Sequence, residues 1–399
     1  LENFVLSEWQ VVYSQLFGDT VDPGKTLSPV FDLYIEKLDV AGLSFEKAAV
    51  KGSHKDEGWQ IGIDSDLAVG QVFLPKDTTL PIVLDLDRLS VPTPTEAGGD
   101  ADSLDPASLP HVQLSVKNLS VGDRLFGEAS FLMKPQSNGV MISGIDANLL
   151  GLQVGDKEYE TTLEWTYEDG SHHTLVDGLF RAGNLGDVME AWGLPEILDS
   201  DEANFFAEMI WPGKPWEIST TTMKGAMSLH LEKGRFYQSP KGATKQMIRL
   251  ISLFNFDNWL RRLRLDFSDL FQEGMGYDEM QGGLVFDQGT MTFDAPIVVK
   301  LTSGRVKLSG TANLLSEDID AHLVTTLPLG TNLPWVVALI GGLPAAAGVY
   351  VTGKVFKKQV DRLSSISYRI TGPWSEPEVV VERIFSDKIF SNKRSNDKS

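Results

Sequence analysis

The feature of this sequence that most constrains its fold is a hydrophobic pattern with a period of two. Apolar and polar residues alternate over many short segments, of which the clearest are residues 31–35, 112–116, 229–232 and 306–309. Successive side chains of a β-strand point to opposite faces of the sheet, so each segment has one apolar face and one wet face. Short turns separate many of these segments, which favours antiparallel pairing. The sequence therefore predicts a mainly β protein.

Two internal similarities indicate a sheet that is extended by repeated strand units. Both copies of the first repeat lose the alternation at the same place, after Ile35 and after Val116, which predicts a shared bulge or strand end. Residues 223–234 and 280–289 form a second pair, predicted as strand, glycine turn and strand. Chance likeness among amphipathic strands is the alternative explanation. The first repeat aligns residues 29–58 with residues 110–139 and pairs Phe31/Val112, Leu33/Leu114, Ile35/Val116, Leu38/Leu119 and Val40/Val121.

Two segments are predicted to interrupt the strands. Residues 92–110 have the composition of a loop and lie between the two copies of the first repeat, so a long surface loop is predicted there. Residues 184–193 predict a short helix, which is capped by Asn184 and ends at Gly193 before Pro195.

The charge balance and the lack of cysteine exclude several classes of function. The chain of 399 residues has 35 Lys+Arg against 55 Asp+Glu, a formal net charge of -20. Such a field repels a phosphate backbone, so nucleic acid is excluded as a partner. Without cysteine the chain has no disulfide framework, zinc–thiolate cluster or thiol nucleophile, and its compartment is left open. The chain begins at Leu1 and residues 1–20 lack the features of a signal peptide, so we expect a piece of a longer protein.

No motif in the sequence indicates catalysis or a cofactor. The segment from Gly18 to Thr26 comes nearest to a phosphate-binding loop, but it has five residues between its glycines where that loop has four. A strand pattern rather than a helix follows it. The adjacent His172 and His173 would point to opposite faces of a strand, so no metal site is predicted. We therefore expect a protein that is not an enzyme and that needs no cofactor or metal.

A long segment near the C-terminus is free of charge. No Asp, Glu, Lys or Arg occurs between Asp320 and Lys354, a length that is sufficient to cross a bilayer. Prolines and glycines interrupt the segment, so a helical hairpin over residues 333–363 is predicted, either interfacial or buried, with a true span as the third possibility. Residues 243–263 predict another amphipathic helix, which ends in a basic run. The side chains expected to contact a membrane are Trp335, Val336, Val337, Leu339, Ile340, Arg261, Arg262 and Arg264.

Four strings of residues resemble those of the AsmA superfamily. They are WPGKPW at 211–216, LHLEKGR at 229–235, RLRLDFSDLF at 262–271 and YRITGPWSEP at 368–377. The resemblance is specific from about residue 170 to residue 381 and is vaguer before that. The chain departs from the pattern of the superfamily by an acidic insertion over residues 198–203 and by a longer polar tail after Phe385.

The resemblance implies a fold, a ligand and a location. It implies a long, curved antiparallel β-sheet that forms an open groove for phospholipid, with a few amphipathic helices toward the C-terminal half. The segments would be 1–165 and 166–385 of the groove and a flexible tail over 386–399. The side chains expected to line the groove, most of which alternate with polar residues, are Val112, Leu114, Val116, Leu119, Leu229, Leu231, Phe293, Val299, Leu301, Val306 and Leu308.

The implied location is the periplasm of a Gram-negative bacterium. An N-terminal segment that is absent here would anchor the protein in the inner membrane, and the C-terminal end would approach the inner leaflet of the outer membrane. Two alternatives to lipid transport remain: a β-sandwich that binds a partner or has a structural role, and an enzyme of envelope metabolism. Alternation alone does not separate a groove from a sandwich, because inward side chains have the same pattern in both.

Overall fold

The computed structural model describes residues 4–5, 30–40, 43–92, 105–194, 196–237, 275–302, 304–326, 365–373 and 377–385. The predicted helices over residues 243–263 and 333–363 and the predicted tail lie outside these ranges, as does the segment from Gly18 to Thr26. The chain divides into two compact units. Unit 1 comprises residues 1–180 and 212–217, and unit 2 comprises residues 181–211 and 218–399.

Unit 1 is built from strands that mostly pair with their neighbours along the chain. Strands β2 to β6 pair antiparallel in sequence order, as do β7, β8 and β9. Strand β9 also pairs with β10 and β11, and β11 pairs with β12. The strands are β1 (Phe4–Val5), β2 (Val30–Val40), β3 (Leu43–Lys55), β4 (Gly58–Asp64), β5 (Ala68–Pro75), β6 (Ile82–Val91), β7 (Val112–Val121), β8 (Arg124–Gln136), β9 (Gly139–Leu149), β10 (Leu152–Val154), β11 (Thr162–Glu168) and β12 (Ser171–Ala182).

Unit 2 is an antiparallel sheet in which each described strand from β13 to β20 pairs with the next. The strands are β13 (Leu198–Pro212), β14 (Lys224–Phe236), β15 (Met275–Asp287), β16 (Thr290–Leu301), β17 (Gly304–Asn313), β18 (Asp318–Thr326), β19 (Ser365–Pro373) and β20 (Glu378–Phe385). The prediction of a mainly β protein is confirmed, because α1 (Leu185–Ala191) is the one α-helix in the described part of the chain.

The loop between the two repeat copies has a topological consequence. Strands β6 and β7 pair in parallel, with Leu84 opposite Leu114 and Leu86 opposite Val116. Parallel neighbours need a crossover of about a dozen residues or more, and the connection through residues 92–111 supplies it. The described ends of that connection contain no strand, as predicted.

The strand boundaries confirm the first repeat. The bulge predicted for both copies is confirmed in one of them. Strands β3 and β8 begin and end at equivalent positions of the two copies. The register between β7 and β8 shifts between Val116 and Leu119, as predicted. The register between β2 and β3 has no such shift. In the copy formed by β2 and β3, both strands lose the alternation at the same point. Lys47 has a φ of 51°, which lets Phe45 and Ala48 join one apolar cluster.

The prediction for the second repeat is wrong in the first copy. Strand β14 runs without a turn through Gly234, whereas a turn does follow β15 at Gly289. A Cβ atom at Gly234 would lie 2.0 Å from the carbonyl oxygen of Asp199 and 2.4 Å from the hydroxyl of Tyr277. The glycine therefore permits a close approach within the sheet rather than a change of direction.

The predicted short helix is confirmed together with its cap. The Asn184 side chain accepts a hydrogen bond of 3.1 Å from the backbone N–H of Asp187, which satisfies one of the free donors at the start of α1. The acidic segment over residues 198–203 forms the start of β13. Its non-acidic residues Leu198, Ser200 and Ala203 are buried.

Candidate functional site

One face of the unit 1 sheet is apolar across several neighbouring strands. Residues that lie opposite each other in the registers of β6, β7 and β8 have side chains on the same face. We call such a row of opposite residues across neighbouring strands a rung. The rungs here are Ile82–Val112–Met133, Leu84–Leu114–Phe131 and Leu86–Val116–Ala129. We call these residues the unit 1 apolar face. They pack as one cluster, which shows that the alternation of 112–116 has a counterpart on both neighbouring strands.

The predicted groove residues of β7 belong to this face. Val112, Leu114 and Val116 are buried, and Leu119 is half-buried beyond the bulge, opposite Gly127. The intervening residues of β7 face the other way and are exposed. Among them, Lys117 forms an ion pair with Asp87 at 2.8 Å.

A second apolar face crosses the sheet of unit 2. Its two central rungs follow from the registers of the strands from β14 to β19. One rung consists of Leu231, Met280, Val299, Val306 and Thr325, and the other of Ile297, Leu308, Leu323 and Tyr368. We call these residues, with Leu229, the unit 2 apolar face. All of them except Thr325 are buried.

The predicted groove residues of unit 2 lie on or beside this face. Leu229, Leu231, Val299, Val306 and Leu308 are members of it. Phe293 is buried in β16, beyond a register irregularity between Thr292 and Ile297. Leu301 is half-buried at the end of β16, opposite Gly304. The structure thus brings the predicted residues together in two sets, one in each unit.

The opposite face of the unit 2 sheet is polar and carries ion pairs. Arg369 and Asp320 are 3.0 Å apart, and both side chains are about half exposed. Lys300 and Glu279 form another pair, and the hydrogen bond from Lys300 lowers the pKa of Glu279. Exposed pairs of this kind contribute about 0–1 kcal/mol each, so their main effect is to keep this face wet.

Several residues of the apolar faces were missed by sequence reasoning. Leu84 and Leu86 alternate with Asp85 and Asp87 in the sequence, so the same signal was present there, whereas the apolar Val83 follows Ile82. Leu323 follows the polar residue His322 and the alternating pair Asp320-Ala321, so part of the same signal was present there. Met280 lies between Glu279 and Gln281, but Gly282 and Gly283 follow it, and Ile297 lies in an apolar run with Val298 and Val299, so neither segment shows a sustained alternation.

Residues 212–216 of the string WPGKPW connect a turn to strand β12 within unit 1. The backbone N–H of Gly213 donates to the carbonyl of His172 at 2.7 Å. The ring of Trp216 stands edge-on to that of Trp165, with centroids 5.5 Å apart. This motif therefore has a packing role in the fold.

The residues expected to contact a membrane have no structural description. Trp335, Val336, Val337, Leu339, Ile340, Arg261, Arg262 and Arg264 all lie outside the described residues. Of the helices in the described ranges, none has the length and apolar character that a bilayer span requires. The described residues also contain no cluster of three or more side chains suited to hold a metal ion.

Comparison with known proteins assigns a family. The family described as YhdP protein matches residues 1–379. The intermembrane phospholipid transporter YhdP of Escherichia coli (strain K12) is 25% identical over 216 residues, which are 54% of this chain and 17% of that protein. The chain therefore spans about a sixth of the length of this relative. No solved structure matches the chain.

Proposed function

Because the chain belongs to the YhdP family, we propose that it moves phospholipid between membranes without catalysis, along the apolar faces of its two units. The observation that carries this proposal is the continuity of the unit 2 apolar face. Its two rungs together extend over six neighbouring strands, from β14 to β19, without a charged side chain. A face of this kind holds acyl chains by burial alone and needs no directional contacts.

The energetics explain why a protein would provide such a path. Exposing roughly 30 methylenes of one phospholipid to water at ~0.8 kcal/mol each costs about 24 kcal/mol. A barrier of that height corresponds to escape on the order of 10⁻⁵ per second. An apolar path removes most of the barrier, so the protein accelerates transfer without chemical change of the lipid.

Further elements of the proposal concern location. We place the protein in the periplasm of a Gram-negative bacterium, anchored in the inner membrane by a segment outside this sequence. The C-terminal part would approach the inner leaflet of the outer membrane through Trp335, Ile340 and their neighbours. What supports this is the family, together with a charge-free segment that follows Asp320 and an amphipathic basic segment that ends near Arg264.

The burial of both apolar faces favours a second candidate, a binding or structural module of the envelope without lipid transport. Leu308 and Leu323 have no exposed surface, which is also what a permanently closed core requires. Against a two-sheet sandwich, the strands described in unit 2 pair in one continuous order, and none of the described ranges supplies a second sheet for that unit.

Native mass spectrometry of gently purified protein separates the two candidates. Lipid transport predicts phospholipid in the purified protein, or its uptake from phosphatidylethanolamine and phosphatidylglycerol vesicles. A photoreactive acyl chain should then crosslink to residues of the apolar faces. If neither bound phospholipid nor crosslinking is detected, the closed module is the correct description.

A further inference from the structure

One buried tyrosine of the unit 2 apolar face has a hydroxyl that finds no hydrogen-bond partner among the described residues. Tyr368 lies on β19 directly opposite Leu323, and it is 2% exposed. Its hydroxyl is fully buried, and no residue in the described part of the chain accepts from it or donates to it. The other members of its rung are aliphatic. The hydroxyl thus lies in a row of aliphatic side chains, and Thr325 of the neighbouring rung is a polar side chain close to it that does not reach hydrogen-bond geometry.

The protonation state of this hydroxyl is well defined. Burial raises the pKa of Tyr368 to about 12, and the side chain of Thr325 offsets part of that rise. Thr325 does not reach hydrogen-bond geometry with it. The phenol is therefore neutral at physiological pH and is available as a hydrogen-bond donor.

Two other tyrosine hydroxyls among the described residues of unit 2 are satisfied by the fold. The hydroxyl of Tyr277, which is equally buried, donates to the backbone carbonyl of Asp199 at 2.6 Å. The hydroxyl of Tyr237 donates to the carboxylate of the same residue at 2.6 Å. A buried hydroxyl without a partner is destabilising, and phenylalanine would fill the same space without that penalty. The Tyr368 hydroxyl therefore contributes nothing to the stability of the chain on its own.

We propose that the Tyr368 hydroxyl donates a hydrogen bond to an ester carbonyl of a phospholipid whose acyl chains lie on the unit 2 apolar face. This inference rests on the proposed function and adds a contact that distinguishes ester-linked lipids. A carbonyl suits the position because it is a neutral acceptor bonded directly to an acyl chain. A phosphate would lose its hydration beside Leu308 and Leu323, and a water would need two to four polar partners.

The test is a competition between two lipids that differ only in the carbonyl. The full chain is exposed to vesicles with equal amounts of an ester-linked phosphatidylglycerol and its ether-linked analogue with the same chain lengths. Native mass spectrometry then gives the ratio of the two bound lipids. We expect the protein to favour the ester by about 3- to 10-fold, the range of one net hydrogen bond. In Tyr368→Phe the ratio should fall to about one while the melting temperature is unchanged or higher.

Tyr277→Phe is the matched control, since it removes a buried hydroxyl that already has a partner. It should lower the melting temperature and leave the lipid ratio unchanged. The inference is overturned if the unmodified protein shows no ester preference or if Tyr368→Phe retains it. Binding of neither lipid by the unmodified protein is a different result, because it overturns the proposed function and the inference with it.

Discussion

Leu308 of β17 lies directly opposite Leu323 of β18, and neither side chain has any exposed surface. This pair sits in the middle of the rung that begins at Ile297 and ends at Tyr368. Because the contact joins two strands of one sheet, it links the stability of unit 2 to the integrity of its apolar face.

Shortening Leu308 should therefore destabilise the protein strongly. Leu308→Ala removes buried methyl groups and leaves a cavity, and we expect a loss of about 2–5 kcal/mol in the free energy of unfolding, measured by urea denaturation. Ser309→Ala on the same strand points to the other face and should change it by less than about 1 kcal/mol. A loss below about 1 kcal/mol for Leu308→Ala would mean that the face collapses easily around smaller side chains.

A charge on the unit 1 apolar face should prevent lipid from occupying it. Leu114 is buried on β7, whereas its neighbour Gln113 is exposed on the opposite face. We expect Leu114→Asp to abolish lipid transfer between donor and acceptor vesicles, because an acyl chain cannot stay beside an unpaired carboxylate. Gln113→Asp adds the same charge and should leave transfer intact. Circular dichroism must show that both variants are folded, and equal transfer by the two would contradict the assignment of this face.

The close approach at Gly234 predicts a sharp difference between two nearby glycines. In Gly234→Ala the new methyl group would collide with the Asp199 carbonyl and the Tyr277 ring, so a destabilisation of more than about 2 kcal/mol is expected. At Gly276 a Cβ atom would meet only the Gly234 carbonyl oxygen, 3.8 Å away. Gly276→Ala should leave the stability nearly unchanged. The thermal unfolding of both variants is measured to compare them. Similar melting temperatures for the two variants would show that β14 and Asp199 separate readily.

The buried tyrosines predict a loss of stability in alkali. Burial raises the pKa of Tyr277 and of Tyr368, the latter to about 12. The unfolded chain ionises first, at a pKa near 10, so the stabilisation is complete below pH 10 and is lost as the pH rises toward the folded-state values. Urea denaturation should show a falling free energy of unfolding from pH 10 to 12, with a shallower fall in Tyr277→Phe. Identical slopes in the two proteins would exclude Tyr277 as a source of the effect.

The charge-free C-terminal segment should mediate contact with anionic membranes. Large apolar side chains partition into a bilayer interface, so the full chain is expected to float with phosphatidylglycerol-containing liposomes. A variant with Trp335, Val337 and Ile340 changed to Ser should not float with the liposomes. The control changes Ala345, Ala346 and Ala347 to Ser, which removes much less apolar area and should leave flotation unchanged. Equal flotation of the two variants would mean that this segment packs on the protein instead.

Local patterns were enough to predict the strands and their faces. The alternation in residues 112–116 and 306–309 identified strands whose apolar side is buried, because the period of two is a property of the strand itself. Asn184 and Gly193 identified α1 for a similar reason, since capping involves residues within one turn of the helix. The turn predicted at Gly234 was wrong, because a glycine in the sequence is compatible both with a turn and with a close packing contact inside a sheet.

The sequence alone thus determined which segments become strands, which side of each is apolar, and, through its resemblance to known proteins, the family. Only the tertiary structure decided which strands are neighbours, that β6 and β7 pair in parallel, and that Met280 and Ile297 join the same face as Leu308. It also decided that the Tyr368 hydroxyl finds no partner in the described part of the chain while that of Tyr277 has one. The physical reason is that strand register and hydrogen-bond satisfaction depend on residues far apart in the chain, whereas periodicity and capping act within a few residues.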